Sequence, residues 1–172
     1  NDNSGTITYT RIEYAGAIYN SEKEFNGLSL FGVGNGTKIE YVQMYAGSDD
    51  GKIHVSKDGG ASWQLISGNL PQSLWVSRVT ASTHKKERVY ATLNGYRNDN
   101  FESYAFVSDD FGTTWTSISN GLTQAVNVIV EDSANENILY VGTDNGLFIS
   151  LDKGITWEDF SNGMPKVAVH DA

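Results

Sequence analysis

Residues 56–63, SKDGGASW, return in modified form as SDDFGTTW at 108–115 and as SLDKGITW at 150–157. All three octets fit the pattern S-x-D-x-G-x-[ST]-W. Repeats with a period of roughly 20–50 residues are typical of propellers and other repeat proteins, in which one small structural unit recurs along the chain. The octet therefore predicts the architecture before any single residue is considered.

Each octet predicts a tight hairpin turn. The aspartate can accept hydrogen bonds from free backbone N–H groups of the turn, and the glycine two residues later can adopt a positive φ. The tryptophan is expected to wedge its ring between neighbouring sheets while its N–H finds one acceptor. The recurring positions are Ser56, Asp58, Gly60, Trp63, Ser108, Asp110, Gly112, Trp115, Ser150, Asp152, Gly154 and Trp157. Three equivalent acid–serine pairs spread around a ring cannot converge on one substrate, so a structural role is favoured over catalysis.

The repeat extends on both sides of the octet. Four residues after each tryptophan comes a Gly/Asn turn with one apolar residue, at 67–71, 119–123 and 161–165. These turns lead into β-rich segments at 76–81, 126–130 and 167–169. A further strand-and-turn segment precedes each octet, at 44–51, 89–95 and 139–146. Each unit therefore reads as four short antiparallel strands, which is the composition of a propeller blade.

From about residue 45 to residue 172 the chain resembles the Asp-box (BNR) repeat β-propellers, which include sortilin-like domains and secreted bacterial "glycosyl hydrolase, BNR repeat" proteins. The three octets carry this resemblance, together with 75–79 (WVSRV) and 95–101 (GYRNDNF). It implies a propeller fold and a location outside the cell or on the bacterial cell surface. Sialidases, xyloglucanases, receptors and assembly factors share these repeats, so the resemblance does not fix a function.

The first fifty residues follow a different pattern. TRIEYA at 10–15 recurs as TKIEYV at 37–42, and an alternating strand with a Gly/Asn turn lies between the two runs at 27–36. A strand-turn-strand coil of this size suits a parallel β-helix, and residues 1–51 resemble secreted bacterial right-handed β-helix proteins. The predicted division is a coil over 1–47 and a propeller fragment over 48–172. Two interpretations stay open: a composite of two segments, and one domain whose coil caps a partial propeller.

The predicted fold class is therefore all-β: a partial β-propeller of about three four-stranded blades, preceded by a short β-helix-like coil. Closed propellers have four to eight blades. A partial ring leaves sheet edges open to further blades or other protomers. The chain is thus expected to be a fragment of a longer protein or a protomer completed by copies of itself, and the fragment is favoured.

Composition narrows the classes of partner. Lys and Arg number 12 against 21 Asp and Glu, a net charge of −9, which disfavours nucleic acid and anionic membranes. No apolar run is long enough to span a membrane, and the absence of cysteine excludes disulfides and thiolate metal sites. The one basic run, HKKER at 84–88, is expected to form a solvated turn.

Metal and catalytic sites have little support in the sequence. His54, His84 and His170 lack metal-binding spacing, so no transition metal is expected. Calcium is the one cofactor considered, at the acid- and amide-rich loops 49–51 and 98–100, although turn formation explains both loops without a metal. No catalytic residue is assigned, because a glycosidase needs two carboxylates at a fixed separation and the sequence cannot pair its acids.

The loop from Gly95 to Tyr104 is the candidate ligand-binding segment, with Tyr96, Arg97, Asp99 and Phe101 as its candidate residues. Aromatic residues and arginine are enriched at binding hot spots. The alternative is that Tyr96 and Phe101 pack onto the next blade while Arg97 pairs with Asp99.

Three functions follow as hypotheses. The leading one is a secreted or cell-surface, non-catalytic binding or scaffold module with a protein or glycan ligand. The second is part of a carbohydrate-active glycoside hydrolase, sialidase- or xyloglucanase-like, whose catalytic residues lie mostly outside this chain. The third is a self-assembling structural subunit.

Overall fold

The computed structural model describes residues 43–171 and five earlier strand segments, at 6–8, 11–12, 17–20, 23–25 and 38–40. These residues form strands connected by turns, and their one helical element is a short 3₁₀ turn at Tyr96–Asn98. The fold is all-β, as predicted. The chain divides into two compact units, Asn1–Ala46 with His54–Leu65 and Gly47–Ile53 with Ile66–Ala172.

The first unit begins with five short strands: β1 (Thr6–Thr8), β2 (Arg11–Ile12), β3 (Ala17–Asn20), β4 (Lys23–Phe25) and β5 (Lys38–Glu40). Strands β1 and β5 pair in parallel, whereas β3 and β4 form an antiparallel pair. Parallel pairing between strands that are far apart in the chain is what a β-helix coil requires. The handedness predicted for this coil stays a prediction, and the predicted strand and turn at 27–36 lie outside the described residues.

The register of the coil differs from the alignment of its two similar six-residue runs. That alignment matches Ile12 with Ile39, but in the structure Ile39 pairs with Ile7. Arg11, in the first run, pairs with Gln43, which lies just beyond the second run. The two similar runs therefore contain strands of the same kind, but those two strands do not pair with each other. Pairing depends on the length of the path around the coil, which local similarity does not encode.

A four-stranded sheet of order β2-β6-β7-β8 completes the first unit, with β6 (Gln43–Gly47), β7 (Ile53–Ser56) and β8 (Gln64–Leu65). Strand β8 runs antiparallel to β7. Strand β2 pairs in parallel with β6, in the position that an antiparallel strand occupies in the other two four-stranded sheets. The coil therefore supplies the innermost strand of the first sheet.

The second unit contains two antiparallel four-stranded sheets. One consists of β9 (Trp75–Ala81), β10 (Val89–Gly95), β11 (Asn100–Ser108) and β12 (Thr116–Ser117), and the other of β13 (Val126–Glu131), β14 (Leu139–Thr143), β15 (Gly146–Ser150) and β16 (Glu158–Asp159). Each sheet follows chain order, and each octet lies in the turn between its third and fourth strands. The predicted strands at 76–81 and 126–130 are confirmed. We call these sheets the second and third blades, and the β2-β6-β7-β8 sheet the first.

The predicted strand at 167–169 is not formed as a regular strand. Val169 N nevertheless donates to Thr143 O at 2.9 Å, as Val76 N donates to Ser48 O at 3.0 Å where β9 begins. Val169 thus takes the position at which the first strand of a further sheet would start. It makes one backbone hydrogen bond there instead of the regular series of a paired strand.

The core of the second unit lies between its two blades. Its buried members come from both sheets and from the segment between β12 and β13: Tyr90, Ala105, Ile118, Leu122, Val126, Ile129, Leu139 and Val141. Burial of one aliphatic or aromatic side chain of this kind contributes about 1.5–3 kcal/mol. The two blades therefore stabilise each other through apolar packing, as neighbouring blades of a propeller do.

Candidate functional site

The three octet turns share one hydrogen-bond network. In the second octet, Ser108 Oγ donates to Asp110 Oδ1 at 2.7 Å and accepts from Gly112 N at 2.8 Å. Thr114 donates to both carboxylate oxygens, from N to Oδ1 at 2.8 Å and from Oγ1 to Oδ2 at 2.7 Å. The first and third octets repeat these four bonds at 2.6–2.9 Å. The serine hydroxyl and the carboxylate of each octet are thus engaged by their own turn.

These bonds lower the pKa of the octet aspartates. The pKa of Asp58 falls to about 2, chiefly because the Ser62 hydroxyl donates to its carboxylate, and that of Asp152 falls to about 2 through the Thr156 hydroxyl. The pKa of Asp110 is also lowered, first by the backbone N–H of Thr114. An acid held in its ionised form by hydrogen bonds is a poor proton donor at neutral pH. The octet carboxylates therefore build turns and are unsuited to acid catalysis.

The octet glycines combine a positive φ with close packing. Gly112 has a φ of 84° and Gly154 a φ of 87°. A Cβ at Gly112 would lie 2.9 Å from Ile66 Cβ and closer still to Ile66 Cδ1, and one at Gly154 would lie 3.0 Å from Ile118 Cβ. In both cases the isoleucine belongs to the segment that follows the preceding octet. The glycine therefore lets each octet turn sit directly on the previous repeat.

The octet tryptophans link consecutive repeats in two cases of three. Trp115 is 8% exposed and donates from Nε1 to Ile66 O at 2.7 Å, and Trp157 donates in the same way to Ile118 O at 2.7 Å. Trp63 is 45% exposed, and no acceptor for its indole N–H lies among the described residues. The predicted wedge between sheets thus describes Trp115 and Trp157, whereas the described residues do not cover Trp63 in this way.

Two of the predicted ligand-binding residues, Tyr96 and Arg97, meet at Trp75. The Trp75 and Tyr96 rings are in edge-to-face contact, with centroids 6.2 Å apart. The Arg97 guanidinium carbon lies 5.6 Å from each ring centroid, and its Nε donates to Tyr96 Oη at 3.1 Å. We call Trp75, Tyr96 and Arg97 the aromatic platform. Tyr96 is 47% exposed, so the platform is open to a ligand.

Strand pairing places the platform. Trp75 at the start of β9 pairs with Asn94 near the end of β10, and Asn94 Oδ1 accepts a bond from Tyr96 N at 2.9 Å. The 3₁₀ turn therefore begins beside Trp75. Asp99 closes this turn in the left-handed conformation, with a φ of 54°. Trp75 was not predicted as a site residue. Its place directly before the predicted strand at 76–81 indicated that it would lie at one end of that strand, but not which loop it would meet there.

The polar surroundings orient the Arg97 side chain. Its Nη1 lies 3.9 Å from Asp49 Oδ2, so Arg97 contacts Tyr96 and Asp49 rather than pairing with Asp99 as the alternative proposed. The pKa of Arg97 is raised, first by its bond to the Tyr96 hydroxyl oxygen. Asn98 Nδ2 donates to Ser73 O at 2.7 Å and ties the turn to the segment before β9. The Arg97 guanidinium thus lies close to both rings, with Tyr96 and Asp49 as its polar neighbours.

Phe101 contributes to a different surface. It is 58% exposed, which also contradicts its expected packing onto the next blade. It lines an open pocket of about 450 Å³ together with Glu102, Ser103, Ser119, Leu122 and Thr123. The structure thus brings Tyr96 and Arg97 together, places Asp99 in the turn backbone, and assigns Phe101 to this neighbouring pocket.

A buried carboxylate cluster was not predicted. Glu131 is 5% exposed and accepts bonds from Ser82 Oγ, Thr83 N and Tyr90 Oη at 2.7–2.9 Å. Arg88 Nη1 lies 3.7 Å away, and burial together with the Glu131 charge raises the pKa of Tyr90. Arg88 is itself buried, unlike the solvated basic turn expected at 84–88. With its oxygens occupied, Glu131 joins the second blade to the third and is closed to a substrate.

The candidate calcium loops make protein contacts. Asp50 bonds to Ser48 and Lys52, and Asp49 faces Arg97. Among the described residues, no group of three or more His, Asp or Glu side chains is arranged to hold a metal ion. Of the three histidines, His84 contacts a backbone oxygen: its Nε2 lies 2.8 Å from Asp132 O.

In the part of the chain that the structure describes, no helix has the length and apolar character needed to cross a membrane.

Comparison with known proteins identifies similarity in both parts of the chain. Residues 1–64 match the family described as a pectate-lyase like beta helix domain. That match ends one residue before the first compact unit ends at Leu65, and the predicted boundary between residues 47 and 48 stays a prediction. No curated protein matches the chain.

Solved propeller structures are similar to the chain in fold. The GH74 enzyme of Niastella koreensis is 19% identical with a TM-score of 0.55, over 79% of this chain and 25% of that one. The GH74 xyloglucanase of Xanthomonas campestris is 18% identical with a TM-score of 0.54, over 71% and 22%. YCF48 bound to D1 peptide is 14% identical with a TM-score of 0.51, over 67% and 35%. The chain thus spans about a quarter to a third of these proteins and shares their fold as a partial β-propeller.

Proposed function

We propose that this chain is a non-catalytic, glycan-binding module of the Asp-box type, from a protein that acts outside the cell or on the cell surface. The aromatic platform carries the proposal. Trp75 and Tyr96 offer apolar ring surface, and Arg97 offers several hydrogen-bond donors held in place beside them. Aromatic rings combined with a few oriented polar groups are the composition of a small ligand site.

The directions of the acid pKa values support binding without catalysis. A glycosidase needs one carboxylic acid with a raised pKa that protonates the leaving oxygen, and a second carboxylate at a set distance. The shifted carboxyl groups among the described residues are all lowered: Asp50, Asp58, Asp109, Asp110, Glu136, Asp152 and Asp159. The buried Glu131 is already engaged by four donor groups. Each of the seven acids with a lowered pKa is therefore held in its ionised form and is unsuited to protonating a leaving oxygen.

A glycoside hydrolase that includes this chain is the second candidate. The similarity to GH74 propellers favours it, since one of these proteins is a xyloglucanase. At 18–19% identity this similarity supports the fold, and the catalytic acids would belong to blades beyond this chain. Under this hypothesis the aromatic platform would hold the polysaccharide while other blades cleave it.

The binding proposal is tested by affinity electrophoresis in gels that contain soluble polysaccharides, xyloglucan among them. We expect retardation by at least one polymer, and at least about tenfold weaker binding for Trp75→Ala and for Tyr96→Ala, the size expected when a central aromatic contact is lost. Ile155→Ala removes an exposed apolar side chain outside the platform and should bind as the unmodified protein does.

Circular dichroism confirms that each variant is folded. Absence of binding to every polymer, or binding that survives both platform substitutions, would refute the proposal. Shortening of a polymer by the protein, abolished by one acidic substitution, would contradict the non-catalytic role proposed for this chain.

A further inference from the structure

The pocket beside Phe101 is built by an irregularity of the second blade. Where β10 pairs with β11, residues 101–103 of β11 face the single residue Asn94 of β10. The corresponding strands of the third blade, β14 and β15, pair without any shift of register. Extra residues of this kind redirect side chains and are frequent next to functional sites. We call residues 101–103 the bulge.

The bulge supplies one part of the pocket lining, and the segment between β12 and β13 supplies the other. The six lining residues are Phe101, Glu102 and Ser103 from the bulge, and Ser119, Leu122 and Thr123 from that segment. The pocket volume of about 450 Å³ lies in the range of small-ligand sites. The bulge thus opens a space of the right size for a ligand.

Hydrogen bonds hold the bulge in place and leave two polar groups of the pocket free. Ser103 Oγ donates to Gln124 O at 2.5 Å, and Tyr104 Oη donates to Glu102 Oε2 at 2.9 Å. Neither Glu102 Oε1 nor Thr123 Oγ1 has a hydrogen-bond partner among the described residues. The pocket therefore combines an exposed phenyl ring with a free carboxylate oxygen and a free hydroxyl, which suit the apolar face and the hydroxyl groups of a sugar.

The pocket and the aromatic platform lie at the same end of the second blade. Trp75 on β9 pairs with Asn94 on β10, and Asn94 in turn faces the bulge on β11. Neighbouring strands are about 4.8 Å apart, so the backbones of Trp75 and the bulge are separated by about 10 Å. One ligand longer than a single sugar ring can therefore contact both.

We propose that the pocket holds a further sugar ring of the same glycan chain that contacts the aromatic platform. The Phe101 ring packs against the apolar face of that sugar, Glu102 Oε1 accepts a hydrogen bond from one of its hydroxyl groups, and Thr123 Oγ1 bonds to another. This inference rests on the glycan-binding function proposed above. Two contacts joined in one ligand bind more tightly than either alone, so affinity should rise with the length of the glycan.

Isothermal titration calorimetry tests the inference with the disaccharides and hexasaccharides of β-1,4-linked glucose, xylose and mannose. At least one hexasaccharide should bind, about tenfold or more tightly than its disaccharide. Phe101→Ala should remove this advantage and leave the affinity for the disaccharide unchanged, whereas Tyr96→Ala should weaken the binding of both. Phe160→Ala, the same change at a 48% exposed phenylalanine outside the platform and the pocket, should bind as the unmodified protein does.

The outcomes separate this inference from the proposed function. Binding that requires Tyr96 but is unaffected by Phe101→Ala would overturn the inference and leave the proposed function in place, as would equal affinities for the disaccharide and the hexasaccharide. Failure of every hexasaccharide to bind, or binding that survives Tyr96→Ala, would count against both. Circular dichroism identifies a variant that fails to fold. Thr123→Val, which keeps the side-chain volume but removes the hydroxyl, then replaces Phe101→Ala.

Discussion

At the scale of single residues, Gly112 satisfies two requirements that other residue types do not. Its φ of 84° lies in the left-handed region, and its Cα faces the Ile66 side chain without room for a Cβ. Gly121 has a similar φ of 88° but has no neighbouring atom within 4 Å of a built Cβ. A comparison of substitutions at Gly112 and Gly121 therefore separates the effect of backbone strain from the effect of contact between repeats.

We predict that Gly112→Ala lowers the free energy of unfolding much more than Gly121→Ala does. Both substitutions incur the left-handed penalty of about 1–2 kcal/mol. Gly112→Ala adds a clash in a packed contact, about 1–3 kcal/mol more. Urea denaturation of the two variants measures the difference. Equal losses would show that the octet glycine serves its turn alone and does not seat one repeat on another.

At the scale of the element, the octet turn is a local structure, and its sequence predicts it well. Its hydrogen bonds join residues no more than four positions apart, as in Gly154 N to Ser150 Oγ and Thr156 N to Asp152 Oδ1. Long-range features were predicted less well. The register of β1 and β5 depends on the path of the coil, and the meeting of Trp75 with Arg97 depends on the pairing of β9 with β10.

The lowered aspartate pKa values give these turns a pH dependence. The pKa of Asp58 and Asp152 is about 2 in the folded chain, against an ordinary value of 3.8. A carboxyl group with a lower pKa in the folded state stabilises the fold above its unfolded pKa, and this stabilisation is lost as the pH falls through the folded pKa. The turns should therefore weaken between about pH 4 and pH 2.

We predict that Asp152→Asn is less stable than the unmodified protein at pH 7 and that the two converge near pH 2. The substitution removes the ionised acceptor of the Thr156 hydroxyl, which the unmodified protein itself loses on protonation. Urea midpoints measured at intervals across this range provide the comparison. A difference that stays constant from pH 7 to pH 2 would contradict the role of the ionised form.

At the scale of the whole molecule, the octets connect repeats in one direction along the chain. Trp115 and Trp157 each reach back to the segment that follows the octet before them, Trp115 to Ile66 and Trp157 to Ile118. The sequence predicted about three four-stranded sheets with one octet in each. It could not predict that Trp63 is 45% exposed, because the three octets are alike in sequence and exposure depends on long-range packing.

The central claim, that the octet tryptophans bond consecutive repeats together, is tested most directly by hydrogen exchange of the indole N–H groups, followed by NMR. We predict slow exchange at Trp115 and Trp157, whose N–H groups are bonded between repeats, and fast exchange at Trp63. Equally fast exchange at all three would contradict the account, as would a protected Trp63 beside an unprotected Trp115.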